Sequence, residues 1–336
     1  MSITGYAAVA PKAALEKFSY EPEPLGPLDI EIAISHCGLC HSDIHLINDD
    51  WGVSDYPFIP GHEVVGTIRK TGPGVTVLKA GDRVAVGWQR GSCLSCEWCL
   101  GGDENLCANN KATCVGHHGG FADAIRLDHR FAYKLPDTLD SADAAPLMCA
   151  GITVYSPLRE FGVRPSSRVG IIGVGGLGHL AIQFAAAFGC EVTAFSSTAD
   201  KEQEARHFGA HNFVVSTDPD QIAGVAGTQD VILSTINNDL EWGGYINALR
   251  PKGTLVFLGV PPSSISVHAF TLIMGRKAIA GSPIGGRPAM REMLEFAARH
   301  DIKARTEVMP MADINKAIDK VRKNEARYRI VLANPA

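Results

Sequence analysis

Residues 169–188 constrain the fold more than any other part of the chain. A β-branched run at 169–172 enters the turn Gly173-Val174-Gly175-Gly176-Leu177-Gly178, after which Leu177, Leu180, Ala181, Phe184, Ala185 and Phe188 recur at helical spacing. This is GxGxxG set between a strand and a helix. Its glycines let the backbone turn tightly and approach a pyrophosphate at the positive end of the helix. Glycines also permit close helix–strand packing without a ligand, but the strand–turn–helix context favours a dinucleotide. The stretch imitates a membrane span, since only His179 and Gln183 are clearly polar, yet Gly170, Gly173, Gly175, Gly176 and Gly178 interrupt its first half. No transmembrane segment is expected. Further β-prone runs at 191–195, 212–215, 230–234 and 254–258, with helical patterns at 201–208 and 242–249, extend this core into a parallel α/β sheet.

The end of the second strand points to the nucleotide. NAD binders usually carry an Asp or Glu there, about 20 residues on, to accept hydrogen bonds from the ribose hydroxyls. Here the strand runs into Ser196-Ser197-Thr198, with Lys201 close behind and no carboxylate at the critical place. Hydroxyls and an ammonium suit a 2′-phosphate, so NADP(H) is expected. An ordinary polar turn capping a helix is the alternative, and Asp200 is compatible with NADP(H) only if it points to solvent.

The first part of the chain has a different texture. Ile30, Ile32 and Ile34 alternate with Asp29 and Glu31, and short β-prone runs at 62–69 and 82–86 are separated by signals such as Gly72-Pro73-Gly74. This pattern predicts a small, irregular β-barrel. From about residue 286 the tail turns helical (288–299 and 313–323) and ends in a β-prone run at 328–332. A chain of 336 residues is long for one core, so two domains are expected. The net charge of −5 offers no basic field to nucleic acid. Met1-Ser2-Ile3 is not followed by the basic and apolar regions of an export signal, so a cytoplasmic location is expected.

Nine cysteines without an export signal argue for metal or redox chemistry. Cys93-x2-Cys96-x2-Cys99-x7-Cys107 offers four thiolates that close a tetrahedral site, as a structural zinc requires. Separate buried cysteines or disulfides would need four coincidences or an oxidising compartment. Cys40, His62 and Cys149 form a second, dispersed set. Spacing alone does not join these three, and Cys37-x2-Cys40 equally suggests a redox pair.

A resemblance does join them. Pro60-Gly61-His62-Glu63-Val64-Val65-Gly66, Cys37-Gly38-Leu39-Cys40-His41-Ser42-Asp43, the four-cysteine lobe and the later GxGxxG resemble the zinc-containing medium-chain alcohol dehydrogenases over essentially the whole chain. Asn48-Asp49-Asp50-Trp51-Gly52, Gly281-Ser282-Pro283-Ile284-Gly285-Gly286 and Ala326-Arg327-Tyr328-Arg329 are similar to the cinnamyl-alcohol-dehydrogenase-like branch, which includes bacterial aldehyde reductases that prefer NADPH. At Pro283 the branch more often has another residue. The resemblance implies an α/β protein: a GroES-like β-barrel catalytic domain from residues 1–150 and 286–336, a Rossmann doubly wound parallel sheet at 151–285, and an active site in the cleft.

It further implies that Cys40, His62 and Cys149 ligate a catalytic zinc with one open position. Glu63 would sit behind the metal and Asp43 would orient a ligand. Ser42 would take the substrate hydroxyl proton, His45 would continue the relay through the cofactor ribose, and His41 would touch the pyrophosphate. Trp51 and Trp88 are candidate walls of the substrate pocket, with a core role as the alternative. Cys37 matches no ligand position, and Cys114 and Cys190 are expected to pack. The implied protein is a homodimer with two zinc ions per chain and NADP(H). It would interconvert primary alcohols and aldehydes, acting mainly as an aldehyde reductase. An NAD-dependent polyol or secondary-alcohol dehydrogenase would instead favour an acidic residue at Ser196. A non-enzymatic zinc- and NADPH-binding protein needs no Cys40, His62 and Cys149 set, and a zinc-free quinone reductase is at odds with the four-cysteine lobe.

Overall fold

The β-branched run before the glycine turn becomes Arg168–Ile172, the third of six strands in a wholly parallel sheet. Their order is Asn212–Val215, Glu191–Ser196, Arg168–Ile172, Gln229–Ser234, Leu249–Phe257 and Ala278–Gly281. The chain winds outward to Asn212–Val215 and then restarts on the other side with Gln229–Ser234, so the strand order reverses beside Arg168–Ile172. Ligands of open α/β sheets bind at such a reversal, outside the carboxyl ends of the strands. Gly178–Ala187 follows the turn and buries Leu180, Ala181, Phe184 and Ala185. Ile172, Phe195, Ile232 and Leu255 pack with Trp242 and Tyr245 of the helix Trp242–Ala248 into one apolar cluster. The pattern expected at 201–208 opens as a 3-10 turn, Ala199–Lys201, before the helix Glu202–His207. The helices Pro219–Gly224 and Ala269–Gly275 are too short to show a periodicity in sequence.

The computed structural model describes residues 2–335. One compact unit takes the chain as far as Cys149 and again from Gly285, and the other runs from Ala150 to Ile284. The first unit is built on a seven-stranded sheet ordered Thr306–Pro310, Arg329–Ala333, Asp29–Leu39, Glu63–Thr71, Arg83–Val86 and Ala132–Lys134, with Ala124–Asp128 also on Asp29–Leu39. The alternation at 29–34 marks only the first half of its strand. A register shift between Ile34 and His36 carries the strand on to Leu39, where Gly38 faces Glu63. Arg329–Ala333 pairs antiparallel with the same strand end, Ile330 against Leu39. The helices His41–Asn48 and Ser141–Pro146 interrupt a region that reads as β-rich, and at eight and six residues neither fills a periodicity window. Among the described residues no helix is long and apolar enough to cross a membrane.

Candidate metal centres and nucleotide turn

Cys40 stands between the end of Asp29–Leu39 and the helix His41–Asn48, in extended backbone at the N-cap. One carboxylate organises what surrounds it. Asp43 accepts from the Cys40 amide through Oδ2 (2.9 Å), and from the Gly61 amide and His62 Nδ1 through Oδ1 (2.9 Å each). Asp43, His62 and Glu63 are each fully buried. Because Nδ1 donates to Asp43, Nε2 is the free nitrogen of His62, and it is buried with no hydrogen-bond partner among the described residues. Cys149 arrives from far along the chain, on a π-helical turn, Leu147–Gly151. Such single turns are frequent at functional sites. The Cys40 and Cys149 sulfurs lie 4.0 Å apart. Two thiolates on a tetrahedral zinc would be about 3.8 Å apart, from Zn–S bonds near 2.3 Å. One ligand atom each of Cys40, His62, Glu63 and Cys149 falls within 4.8 Å of the others, so the donor set fits zinc.

The electrostatics fit a cation as well. The Cys149 thiol and His62 hold the Cys40 sulfur well below the ordinary thiol range, against burial. Cys149 is pushed well above that range by its bond to Cys40 and by burial. Burial opposes a charged ring at His62, but the Asp43 carboxylate and Cys149 outweigh it and hold the pKa well above normal. Burial raises Glu63 to about 8 against the pull of Arg329. Arg329 Nη2 donates to Glu63 Oε1 (2.5 Å) and to the Leu39 carbonyl (3.2 Å). Removing Glu63 would leave the buried Arg329 guanidinium uncompensated, at about 3–5 kcal/mol, whereas removing Arg329 would leave Glu63 buried as the neutral acid. Sequence reasoning assigned Arg329 no role at the site. Its only signal was membership of the closing Ala326–Arg329 motif, 266 residues from Glu63.

The first helix presents Ser42 and His45 three residues apart and so on one face, with Ser42 half-buried and His41 exposed. A left-handed Asp49 (φ 58°) ends the helix and turns the chain back. His45 Nδ1 then donates to Asp50 (2.8 Å), a contact not anticipated from sequence. Trp51 stacks on His45 with centroids 5.1 Å apart and meets Trp88 edge-on at 6.2 Å. Trp88 meets His62 edge-on at 4.9 Å, so both tryptophans belong to one aromatic row between His45 and His62.

The four-cysteine lobe closes on itself. Cys93 Sγ lies 3.8 Å from Cys99 Sγ and 3.5 Å from Cys107 Sγ, and all four sulfurs fall within 4.8 Å of one another. The amides of Cys96 and Asn109 donate to the Cys93 and Cys107 sulfurs (3.3 Å each). Backbone amides of Ser95 and Cys96 lower Cys93 to about 6. The lobe is anchored by buried Glu104, which accepts from the Arg287 amide (2.9 Å) and Arg287 Nε (2.6 Å). Cys37, Cys114 and Cys190 are buried and unbridged.

In the second unit, Gly173 has φ +93°, a conformation that side chains resist, and a Cβ on Gly178 would lie 1.8 Å from the Gly173 carbonyl oxygen. A Cβ on Gly175 would meet nothing within 4 Å, so packing does not explain that glycine. Gly176 and Leu177 complete the turn into the helix Gly178–Ala187. The expected row of hydroxyls is only partly realised. Ser196 is 4% exposed at its strand end, the Thr198 hydroxyl donates to Asp200, and Ser197 is exposed. Lys201 bends over the turn, its Nζ donating to the Val174 carbonyl (2.9 Å).

Comparison with known proteins agrees with this geometry. Residues 26–137 match the alcohol dehydrogenase GroES-like domain family and residues 176–299 the zinc-binding dehydrogenase family. The chain is 46% identical to an aldehyde reductase of Synechocystis sp., with 99% of each chain covered. A cinnamyl alcohol dehydrogenase structure from Sorghum bicolor matches with TM-score 0.95 and 38% identity, covering 99% of this chain and 98% of that one. A Helicobacter pylori enzyme of that name, solved in complex with NADP(H), matches with TM-score 0.92 and 32% identity over the same shares.

Proposed function

Since the chain belongs to the zinc-containing alcohol dehydrogenases, in the branch of the cinnamyl alcohol dehydrogenases and bacterial aldehyde reductases, we propose that it interconverts aliphatic and aromatic aldehydes with their primary alcohols, using NADP(H) and acting mainly as a reductase. The observation that carries this reading is the buried Cys40, His62 and Cys149 set, with His62 Nε2 lacking a partner among the described residues. When bound, zinc supplies a Lewis acid for the carbonyl oxygen and the nicotinamide supplies the hydride. The chain's own residues do the rest. Asp43 fixes His62 in the tautomer that leaves Nε2 free for the metal, and Arg329 holds Glu63 behind the ligands. Ser42 hands the proton to the nascent alkoxide and His45 resupplies it, with Asp50 on Nδ1 leaving Nε2 as the exchanging nitrogen. Trp51 and Trp88 wall the pocket against water. Cys93, Cys96, Cys99 and Cys107 hold the second zinc.

In the nucleotide half, Gly173, Gly175, Gly176, Leu177 and Gly178 cradle the pyrophosphate, while Ser196, Ser197, Thr198 and Lys201 take the 2′-phosphate. The NADP(H) complex of the Helicobacter pylori relative supports this choice. Charge-assisted hydrogen bonds are worth roughly 1.5–3 kcal/mol each, and about 1.4 kcal/mol is tenfold. NADPH oxidation with one good aldehyde is therefore expected to be at least about tenfold more efficient than NADH oxidation, in kcat/KM. Ser196→Asp should remove the preference, and Lys201→Ala should weaken NADPH while barely touching NADH. Equal wild-type efficiency with NADH would refute the nucleotide assignment. No turnover of any aldehyde in a panel of aliphatic and aromatic ones would refute the activity itself.

We further propose a homodimer that forms through the open edge of the parallel sheet. Ala278–Gly281 is the last strand there, and the nearby Val260, Phe270, Ile273 and Met274 are 61–71% exposed. Apolar side chains beside an unpaired strand edge favour pairing with a second copy. Light scattering is expected to give twice the chain mass for the wild type and a monomer for Ile273→Lys. A monomeric wild type would remove this interface.

A further inference from the structure

A cavity of about 740 Å³ lies in the first unit, and none of its lining residues is a zinc ligand or part of the nucleotide turn. Its size falls within the roughly 300–1,000 Å³ of small-molecule sites. Arg90, Lys111, His117 and His118 line it together. The two other arginines on the same wall are already neutralised, Arg126 by Glu31 and Arg130 by Asp128. Arg90 and Lys111 have no such close partner: among the described residues no carboxylate forms an ion pair with either, Asp29 acts on Arg90 only through its field, and Arg90 gives one hydrogen bond, to the Arg126 carbonyl. The charge that results acts on the neighbouring rings. His117 is lowered to about 4 by burial and then by Arg90, Lys111 and His118, while His118 is lowered by burial and Arg90. The Ile59 amide donates to His118 Nδ1 (3.3 Å), which leaves its Nε2 as a donor, and Tyr20 packs on the same ring at 4.3 Å. Glu21, Glu23, Asp29 and Asp55 also line the cavity, Asp128 there being taken up by Arg130, and they weigh against a polyanion, so the fit is to one phosphate group.

From this geometry we infer that the cavity formed by Arg90, Lys111, His117 and His118 binds a single phosphate group, either the free ion or a monophosphate ester. The guanidinium fork and the ammonium meet the phosphate oxygens, and the imidazoles supply further N–H donors.

The test uses zinc-loaded protein saturated with NADP+, so that the nucleotide's own phosphate contacts are already occupied. Inorganic phosphate, glycerol phosphate and acetate are titrated at constant ionic strength by calorimetry, with the histidine ring resonances of His117 and His118 followed by NMR. Saturable phosphate binding is expected to shift both histidines. Arg90→Gln and Lys111→Ala should each weaken it at least tenfold. Lys111 is exposed, so its variant keeps the test valid even if Arg90→Gln misfolds. Tighter binding of the ester assigns the site to a metabolite, and equal binding assigns it to the free ion. No saturable phosphate binding, an affinity unchanged in Lys111→Ala, or acetate bound as tightly as phosphate would overturn the inference.

Discussion

Cys149→Ala is expected to reduce turnover to background while leaving the fold and one of two zinc ions per chain in place. Cys149 contributes a sulfur to the open set and nothing to the closed lobe, whose four sulfurs come from residues 93–107. Its backbone lies in the turn Leu147–Gly151, between two helices that do not depend on the thiol. Zinc left with Cys40 and His62 loses a charged ligand and with it most of its affinity. Cys99→Ala divides the effects the other way. A structural zinc contributes directly to folding, and loss of a metal site is among the few changes that destabilise by several kcal/mol. At about 2–4 °C per kcal/mol for a domain of this size, Tm should fall by roughly 5 °C or more. Elemental analysis of both variants, with melting curves and aldehyde reduction, checks all of this. A fully active wild type holding one zinc or none would sink it.

Ser42→Ala carries the second large effect, a loss of about 10²–10⁴-fold in the chemical step, the usual worth of a positioned proton-transfer group. Zinc content and NADPH affinity should not move, because Ser42 is neither a ligand in the buried set nor part of the glycine turn. His45→Ala should lose less, since water can replace a distal member of a relay. Single-turnover rates separate these cases from slow product release. Near-wild-type chemistry in Ser42→Ala would show that the proton leaves by another route.

How much of this was legible in the sequence depended on how local each signal is. The strand, turn and helix at 168–187 are one continuous stretch whose pattern is its own evidence. The four-cysteine lobe spans only fifteen residues, so spacing alone reveals it. The open metal set is drawn from the end of one strand, the start of another and a π-helical turn, and no periodicity links Cys40 to Cys149. Only the resemblance brought them together. Asp50 lies in the Asn48–Gly52 motif, but nothing local in that motif points to His45, because a left-handed residue at Asp49 is what returns Asp50 to it. Arg329 was missed for the same physical reason on a larger scale. Its partner is fixed by the antiparallel pairing of Arg329–Ala333 with Asp29–Leu39, which is a property of the folded sheet.

That pairing also sets an order in time. Glu63 leaves the ribosome 266 residues before Arg329. At about 5–20 residues per second, the interval is roughly 13–53 s. Throughout it Glu63 lacks the guanidinium that pulls its pKa down, so it can enter the interior only as the neutral acid. The strand pair Asp29–Leu39 and Glu63–Thr71 can form early, but the Glu63–Arg329 pair beside Cys40 and His62 must wait for the final strand. The second unit, complete in residues 150–284, has no such wait. It can fold while the first is still unfinished, so the half made last is the one begun first.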